Sequence, residues 1–441
     1  MAVPLLATVL FGVVFSLMLF SRLDRRLLML AGGFLFVVLG YVLDFYSLKM
    51  AWNAIYFETL ALIFGLSLIS ATLAKSGYFE TVARRLTHYS NGDGWLILVL
   101  FALITYFFSL FVNNLAAMVV ILPVTFQVCR SADLNPVPYV IAEIIASNLG
   151  GASTMMGDFP NMIISSAGHL HFLDFIGGMM VPTLILLALM LLYFQSRKRE
   201  ILPQPLAANR ARLRPLSSAV LSDSTVDHAR LRFGLLVLSL TLCGFLLAES
   251  MQVRPALVAM LAGFALLIWA PFRYQELFQV TGAGDVLFFL GLFVMVGGLQ
   301  AAGVLDGISW LINEISGGEP VFELLALLWL AGLLTPFLNA GPATAFFIPI
   351  AQELNGFIPG DTVWWALSLG ILAGSSASLS GATAGSVAAS KLEEYLKEHS
   401  DMVRLMPAGR GLDFMEYFRW GQPILVLFLG FSSLYIFLIA P

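Results

Sequence analysis

Residues 147–161 read SNLGGASTMMGDFPN, a run rich in glycine, serine, threonine and asparagine inside an otherwise apolar stretch. Glycine allows a helix to unwind, and non-helical backbone survives at membrane depth only where protein or water satisfies its freed N–H and C=O groups. The run therefore predicts a discontinuous helix at a binding site near the midplane of a membrane.

The remainder of the chain has the composition of a membrane protein. Of its 441 residues, 59% are apolar and 11% are charged, against about 45–50% and about 25% in a soluble domain. A net charge of −4 gives no indication of a nucleic-acid partner. A bilayer core needs about 20 apolar residues per helix, and runs of that length lie near 3–20, 27–46, 55–75, 172–194, 233–249, 254–271, 284–304 and 422–440.

Three further polar breaks interrupt apolar stretches. Residues 374–383 read GSSASLSGAT and predict a second discontinuous helix. Residues 111–118, FVNNLAAM, and 337–346, FLNAGPATAF, lie near the centres of two longer stretches. We interpret each of these as the tip of a re-entrant hairpin, the first entering from the cytoplasm and the second from outside.

The breaks recur at a nearly fixed offset, which indicates an internal repeat. Five crossings per half, an odd number, would invert the second half, as is typical of secondary transporters. We therefore predict an all-α polytopic membrane protein with two inverted repeats, each of five crossing helices plus a re-entrant hairpin, and with discontinuous helices at the midplane. The matches are Gly65, Gly77, Asn113 and Pro123 with Gly291, Gly303, Asn339 and Pro349, 226 positions later, and Gly150 and Gly157 with Gly374 and Gly381, 224 later.

Lys and Arg near helix ends set the orientation, because they stay on the cytoplasmic side. Basic residues follow the first span at 22–26 and fill the long polar connection at 197–232. The segment 304–322 has acids but no Lys or Arg, so we place it outside. We predict a first repeat at 1–195, a cytoplasmic linker at 196–231 and a second repeat at 232–441, in the cell inner (plasma) membrane with both termini outside.

The four breaks supply the predicted binding residues. Unwound carbonyls and half-helix C-termini suit Na⁺, whereas half-helix N-termini suit an anion. We expect Na⁺ near Asn113, Asn114 and Gly151 and near Asn339 and Ser375, and no other cofactor than Na⁺ or H⁺ as the coupling ion. The candidate residues are Asn113, Asn114, Ser147, Asn148, Gly150, Gly151, Thr154, Gly157, Asp158, Asn161, Asn339, Gly341, Thr344, Gly374, Ser375, Ser376, Ser378, Gly381 and Thr383.

Asp158 is the only acidic residue in the four breaks. An intramembrane ionisable group indicates function, but an Asp before Phe-Pro can also cap the second half-helix. The equivalent position in the second half is Ala382, so two ion sites would not be equivalent.

The run 148–161 resembles the Asn-x-Gly-Gly-x-x-Thr-x-x-Gly-Asp-Pro-Pro-Asn signature of the ion transporter superfamily, in particular its arsenite-permease, P-protein and NhaD-type branch and, more distantly, the divalent anion:sodium symporters. The resemblance implies an elevator-like alternating-access carrier, often a homodimer, with an ATPase subunit if it is of the arsenite type. The family's Ser-Asn-Thr hairpin motifs fall on 113–115 and 339–341, and neither reproduces the triplet.

The leading hypothesis is a secondary active transporter that moves a small inorganic or organic anion, such as arsenite, silicate or a carboxylate, coupled to Na⁺ or H⁺. The rivals are a Na⁺/H⁺ antiporter with Asp158 as the exchanging carboxylate, and a passive channel. An intramembrane aspartyl protease is disfavoured: Gly282–Asp285 matches GxGD, but no second membrane Asp completes a dyad. We therefore predict no enzyme.

Overall fold

The computed structural model describes residues 2–21, 23–90, 93–202, 226–248, 250–269, 282–405 and 411–440. These residues contain helices and no strand, which confirms the all-α prediction. The helices of the first half are α1 (Ala2–Phe20), α2 (Arg25–Val42), α3 (Leu48–Asn53), α4 (Phe57–Ala74), α5 (Tyr78–Tyr89), α6 (Gly94–Ser109), α7 (Asn114–Ser131), α8 (Val137–Ala152), α9 (Phe159–Gly168) and α10 (Phe172–Ser196).

Helices α11 to α18 of the second half correspond in order and spacing to α1, α2 and α4 to α9 of the first half. Eight of the described helices are long and apolar enough to cross a bilayer, so the chain is a multi-pass membrane protein. The second-half helices are α11 (His228–Ala248), α12 (Pro255–Trp269), α13 (Ala283–Ala301), α14 (Val304–Ser316), α15 (Pro320–Leu338), α16 (Ala340–Asn355), α17 (Thr362–Ser375), α18 (Gly385–Glu398) and α19 (Phe414–Ile439).

Two helix starts differ from the positions that the apolar runs suggest. Helix α19 begins at Phe414, ahead of the apolar run at 422, because the Asp413 side chain caps it by accepting from Glu416 N. Helix α11 begins at His228, inside the predicted linker. Most of that linker, 203–225, lies outside the described residues, so the predicted domain boundaries remain predictions.

All four predicted breaks coincide with helix ends. Asn113 separates α6 from α7, and Asn339 separates α15 from α16. The two discontinuous helices are α8–α9, interrupted at 153–158, and α17–α18, interrupted at 376–384. Helices α8 and α17 are buried along their whole lengths, so these two breaks lie in the protein interior.

Two helices of the first half each pack against the second-half equivalent of the other. Helix α4 packs on α12, and α2 packs on α13; adding 226 to the numbers of α4 and α2 gives α13 and α12. A Cβ added to Gly65 would lie 2.1 Å from the Ala259 carbonyl oxygen, and one added to Gly33 would lie 3.0 Å from the Gly291 carbonyl oxygen. Because the two contacts interchange under one offset, they support a two-fold relation between the halves. The inversion of the second half across the membrane remains a prediction.

Candidate functional site

Asp158 lies where the two halves meet. Its side chain caps α9 by accepting from Phe159 N at 2.9 Å, and it accepts from Asn114 Nδ2 at 2.9 Å and from Thr383 Oγ1 at 3.2 Å. The residue is 6% exposed. Asp158 is therefore a helix cap that also joins the first hairpin tip to the second discontinuous helix, and its role in transport remains a prediction.

The first hairpin tip is held in place by its own caps. Asn113 caps α7 by accepting from Ala116 N at 2.8 Å, and its backbone N–H donates to Ser70 Oγ of α4 at 3.0 Å. Asn114, the first residue of α7, then directs its side chain toward the discontinuous helix. A Cβ added to Gly151 would lie 2.7 Å from Asn114 Oδ1, so Gly151 leaves the space that this amide occupies.

The second hairpin tip is satisfied mainly by backbone. Asn339 has φ +72° and donates from Nδ2 to Ser380 O at 2.9 Å and to Ala382 O at 3.3 Å. Thr344 donates to Ala340 O within its own helix at 2.7 Å. The amide of Asn339 and the hydroxyl of Thr344 therefore support the local backbone.

One hydrogen bond occurs in both halves at equivalent positions. Thr154 Oγ1 donates to Leu110 O at 2.7 Å, and Ser378 Oγ donates to Pro336 O at 3.0 Å. The donors differ by 224 positions and the acceptors by 226, the offsets of the predicted repeat. Each bond connects the unwound segment of a discontinuous helix to the C-terminal end of the neighbouring hairpin helix, α6 or α15.

The helical glycines make matched contacts as well. A Cβ added to Gly150 would lie 2.2 Å from Tyr106 O, and one added to Gly374 would lie 2.4 Å from Gly332 O. No real Cβ approaches backbone this closely, so the broken helix packs directly on the hairpin arm in both halves. These two glycines are packing residues, as expected for small residues between membrane helices.

Two cavities lie on either side of the Asp158–Thr383 contact. The larger, the Arg25 vestibule, has a volume of about 480 Å³ and opens at the start of α2. The smaller, the enclosed cavity, has a volume of about 10 Å³, close to the space for one water. The Arg25 vestibule is lined by residues that include Asp24, Arg25, Arg26, Asp285, Asn339, Gly341 and Thr383, and the enclosed cavity by Asn148, Asp158, Asn161, Ser368 and Ser375 among others.

The mouth of the Arg25 vestibule carries charge of both signs. Hydrogen bonds from Arg26, chiefly from its side chain, lower the pKa of Asp24 to about 2, so this carboxylate stays ionised and paired. Arg25 is exposed and has no ion-pair partner among the described residues. The vestibule therefore has an exposed guanidinium at its entrance, with the Asp285 carboxylate in the same lining.

Several buried polar atoms of the first hairpin tip and of the two discontinuous helices have no hydrogen-bond partner among the described residues. They are Asn114 Oδ1, Asn148 Nδ2, Ser147 Oγ and Ser376 Oγ. Buried polar groups are ordinarily hydrogen-bonded, so these atoms can bind a small ligand. No group of three or more His, Cys, Asp or Glu in the described part could hold a metal. The arrangement instead suits a cation held by one carboxylate and neutral oxygens.

The predicted residues do not all meet at one point. Asn339, Gly341 and Thr383 line the Arg25 vestibule, whereas Ser375 lines the enclosed cavity. The second predicted Na⁺ position, near Asn339 and Ser375, is thus divided between two cavities. Gly157 and Gly381 are each packed against neighbouring backbone.

Sequence reasoning missed one lining residue of the enclosed cavity. Ser368 donates to Asn161 Oδ1 at 2.9 Å, while Asn161 Nδ2 donates to the carbonyl oxygens of Ala152 and Thr154, each at 2.9 Å. Ser368 lies seven residues before Ser375, on the same helix face. That spacing within an apolar helix is the signal that could have identified it.

Glu143, which lies in α8, is a second buried acidic residue besides Asp158. Its Oε1 accepts from Thr125 Oγ1 at 2.5 Å, and its Oε2 has no partner among the described residues. Glu143 lies outside the four breaks, and its carboxylate bonds to the middle of α7 rather than to a hairpin tip.

Comparisons with known proteins agree with this architecture. A family profile described as "Citrate transporter" (CitMHS) matches residues 15–370. The chain is 44% identical to "Magnetosome protein MamN" of Magnetospirillum gryphiswaldense over 94% of each chain. It is 26% identical to "P protein" of Homo sapiens over 96% of this chain and 58% of that one.

A solved structure shows a similar fold. The YdaH transporter of Alcanivorax borkumensis, described as having an unusual topology, superposes with a TM-score of 0.53 at 15% identity, covering 94% of this chain and 98% of that one. A transporter family with this fold leaves no support for the protease alternative. Because the profile spans most of the chain, the protein belongs to the CitMHS citrate transporter family.

Proposed function

We propose that the protein is a secondary active transporter that moves a small anion, coupled to Na⁺ or H⁺, by elevator-like alternating access. One observation carries the proposal: Asp158 joins the first hairpin tip to the second discontinuous helix, beside a vestibule that opens to one face. A carrier needs a site that both halves form and that one side of the membrane reaches at a time.

A second vestibule supports alternating access. The Arg254 vestibule, about 280 Å³, is lined by residues that include Glu58, Leu62, Ser166 and Arg254. Leu62 is the equivalent of Phe288 in the Arg25 vestibule, 226 positions later. The Arg254 vestibule reaches none of the predicted binding residues, whereas the Arg25 vestibule reaches three. This asymmetry is what a carrier open to one side would show.

We place the coupling cation at the first break. Asn114 Oδ1 is unpartnered beside Gly151, and the Asp158 carboxylate lies next to it. Neutral oxygens and one carboxylate suit Na⁺, and a carboxylate that exchanges a proton suits H⁺. The second break has Ala382 in place of an acid, so we propose a single coupling ion.

We place the anion in the Arg25 vestibule. Gly341, in the first turn of α16, and Ser386, in the first turn of α18, both line it. Helix N-termini present free N–H groups and a positive dipole end to an anion. Arg25 lies exposed at the entrance, where the Asp285 carboxylate of the same lining offsets part of its charge, so the two helix N-termini carry this placement.

Flux measurements in proteoliposomes test the proposal. We expect uptake of a small anion, with citrate, arsenite and silicate as probes, to require an imposed Na⁺ or H⁺ gradient. Na⁺-dependent proton movement without added anion would replace the proposal with the antiporter alternative. Flux that ignores every ion gradient would indicate a passive channel.

The inner-membrane location, both termini outside, the homodimer and an ATPase subunit of the arsenite type remain expectations from the sequence and the family resemblance. Light scattering of the purified protein measures the oligomeric state, and transport by the purified chain alone would show that no ATPase subunit is required.

A further inference from the structure

Helices α5 and α14 occupy equivalent places in the two halves, each following a glycine of positive φ, Gly77 and Gly303. In the first half, Arg84 of α5 donates to Glu80 Oε1 at 2.6 Å and to Gln127 Oε1 of α7 at 3.0 Å. Its side chain is only 11% exposed. A buried guanidinium therefore joins α5 to the second arm of the first hairpin.

The second half changes each of these three residues. Adding 226 to their numbers gives Asp306 for Glu80, Trp310 for Arg84 and Glu353 for Gln127. The second half therefore has no arginine at this place, and the number of carboxylates among the three positions rises from one to two. Trp310 is 63% exposed.

A cavity of about 350 Å³ lies between α14 and α16. It is lined by oxygen-bearing side chains from three helices, and neither Asp306 nor Glu353 forms an ion pair with another described residue. Ser309 is 4% exposed, and its Oγ has no hydrogen-bond partner in the described part. The oxygen-bearing residues are Gln300, Asp306, Ser309, Gln352 and Glu353. Asp306 and Glu353 are exposed, and Gln352 Oε1 also accepts from Tyr56 OH at 3.1 Å.

We propose that this cavity binds a hard divalent cation, which joins α14 to α16 as Arg84 joins α5 to α7. Two carboxylates, a hydroxyl and amide oxygens form the donor set that Ca²⁺ and Mg²⁺ prefer. Two carboxylates also match the double positive charge of the cation. In the first half, the single charge of Arg84 pairs with the carboxylate of Glu80. The position is distinct from Asp158 and from both vestibules, so the bound ion is separate from the coupling ion.

Thermal unfolding of the purified full-length protein tests the proposal. We expect CaCl₂ or MgCl₂, at constant ionic strength set with choline chloride, to raise the unfolding temperature in a saturable way, because a ligand of the native state stabilises it. Asp306→Asn and Glu353→Gln should each lower the affinity for the divalent cation and so raise its half-saturating concentration by at least about tenfold. Glu314→Gln, an exposed acid of the same helix outside the cavity, should leave it unchanged.

Trp310→Arg gives an independent test. An arginine four residues after Asp306 restores the spacing of Glu80 and Arg84, so it should raise the unfolding temperature without divalent cation and abolish the response to CaCl₂. This variant keeps the proposal testable if Asp306→Asn fails to fold. The proposal is overturned if the wild-type protein shows no saturable response, or if Glu353→Gln or Trp310→Arg responds like the wild type.

Discussion

The two helix breaks differ in how they satisfy their polar side chains. In the first, the Asn114 amide donates to the side chain of Asp158, while its Oδ1 and the Nδ2 of Asn148 remain unpartnered in the described structure. In the second, the Asn339 amide donates to two backbone carbonyl oxygens, those of Ser380 and Ala382.

This difference distinguishes the break at which we propose that the coupling ion binds from the break whose amide supports the backbone. An amide that donates to backbone carbonyls holds the shape of a loop and loses that role if it turns toward a ligand. An amide that donates to a carboxylate and has its own oxygen free can bind a cation through that oxygen. It keeps its hydrogen bond to the carboxylate when it does so. The equivalent bonds of Thr154 and Ser378 show that the surrounding framework is shared, so the distinction depends on a few side chains.

Asp158→Asn should have the largest effect. It removes the only carboxylate of the four breaks but keeps the side-chain size, so coupled transport should fall at least about 100-fold, as expected when hydrogen bonds to a charged group are lost. Proteoliposome uptake measures this, and Glu398→Gln, an exposed acid, is the control. Normal transport by Asp158→Asn would show that Asp158 is only a cap.

The paired substitutions Gly157→Ala and Gly381→Ala compare crowding at the two breaks. A Cβ on Gly157 would lie 2.1 Å from Ser109 O, whereas a Cβ on Gly381 would meet its nearest atoms at 3.0 Å. We expect a loss of about 3 kcal/mol of stability for the first and about 1 kcal/mol for the second. Unfolding temperatures in detergent rank the two, and equal losses would contradict the difference in packing.

Asn114→Ala and Asn339→Gly distinguish a role in binding Na⁺ from a role in holding the backbone of the break. Asn114→Ala should weaken Na⁺ activation of transport about tenfold, a loss of about 1.4 kcal/mol. Asn339→Gly suits the positive φ of this position, but it removes the donor to two carbonyls, so it should lower stability by about 1–2 kcal/mol. Its Na⁺ dependence should match the wild type; a shift there would place a second ion at Asn339.

Thr154→Val and Ser378→Ala should have the smallest effects, and nearly equal ones. Each removes a hydroxyl that donates to a hairpin carbonyl oxygen and accepts from a backbone N–H, that of Met156 or of Gly381, a loss of about 1–2 kcal/mol. Urea or thermal unfolding of the two variants measures this. A much larger loss in one half would mean that the shared framework is less symmetric than the matched bonds indicate.

The helix segmentation follows from local sequence, because glycine, asparagine and serine clusters stand out in apolar runs. The position of Asp158 as a cap also follows from local rules, since an Asp directly precedes Phe-Pro. Its contact with Thr383 could not be predicted, because it depends on how two halves 225 residues apart are packed. Ser368 was missed for the same reason: its partner, Asn161, lies in the other half.

The exchanged packing of α2 on α13 and α4 on α12 also constrains biogenesis. As the chain emerges from the ribosome, α4 enters the membrane about 200 residues, and α2 about 260 residues, before its partner is made. During that interval their small-residue faces, around Gly33 and Gly65, have only lipid or other helices beside them. Contacts this distant in sequence slow folding, so the first half must persist in the bilayer as an incomplete intermediate until the second half arrives.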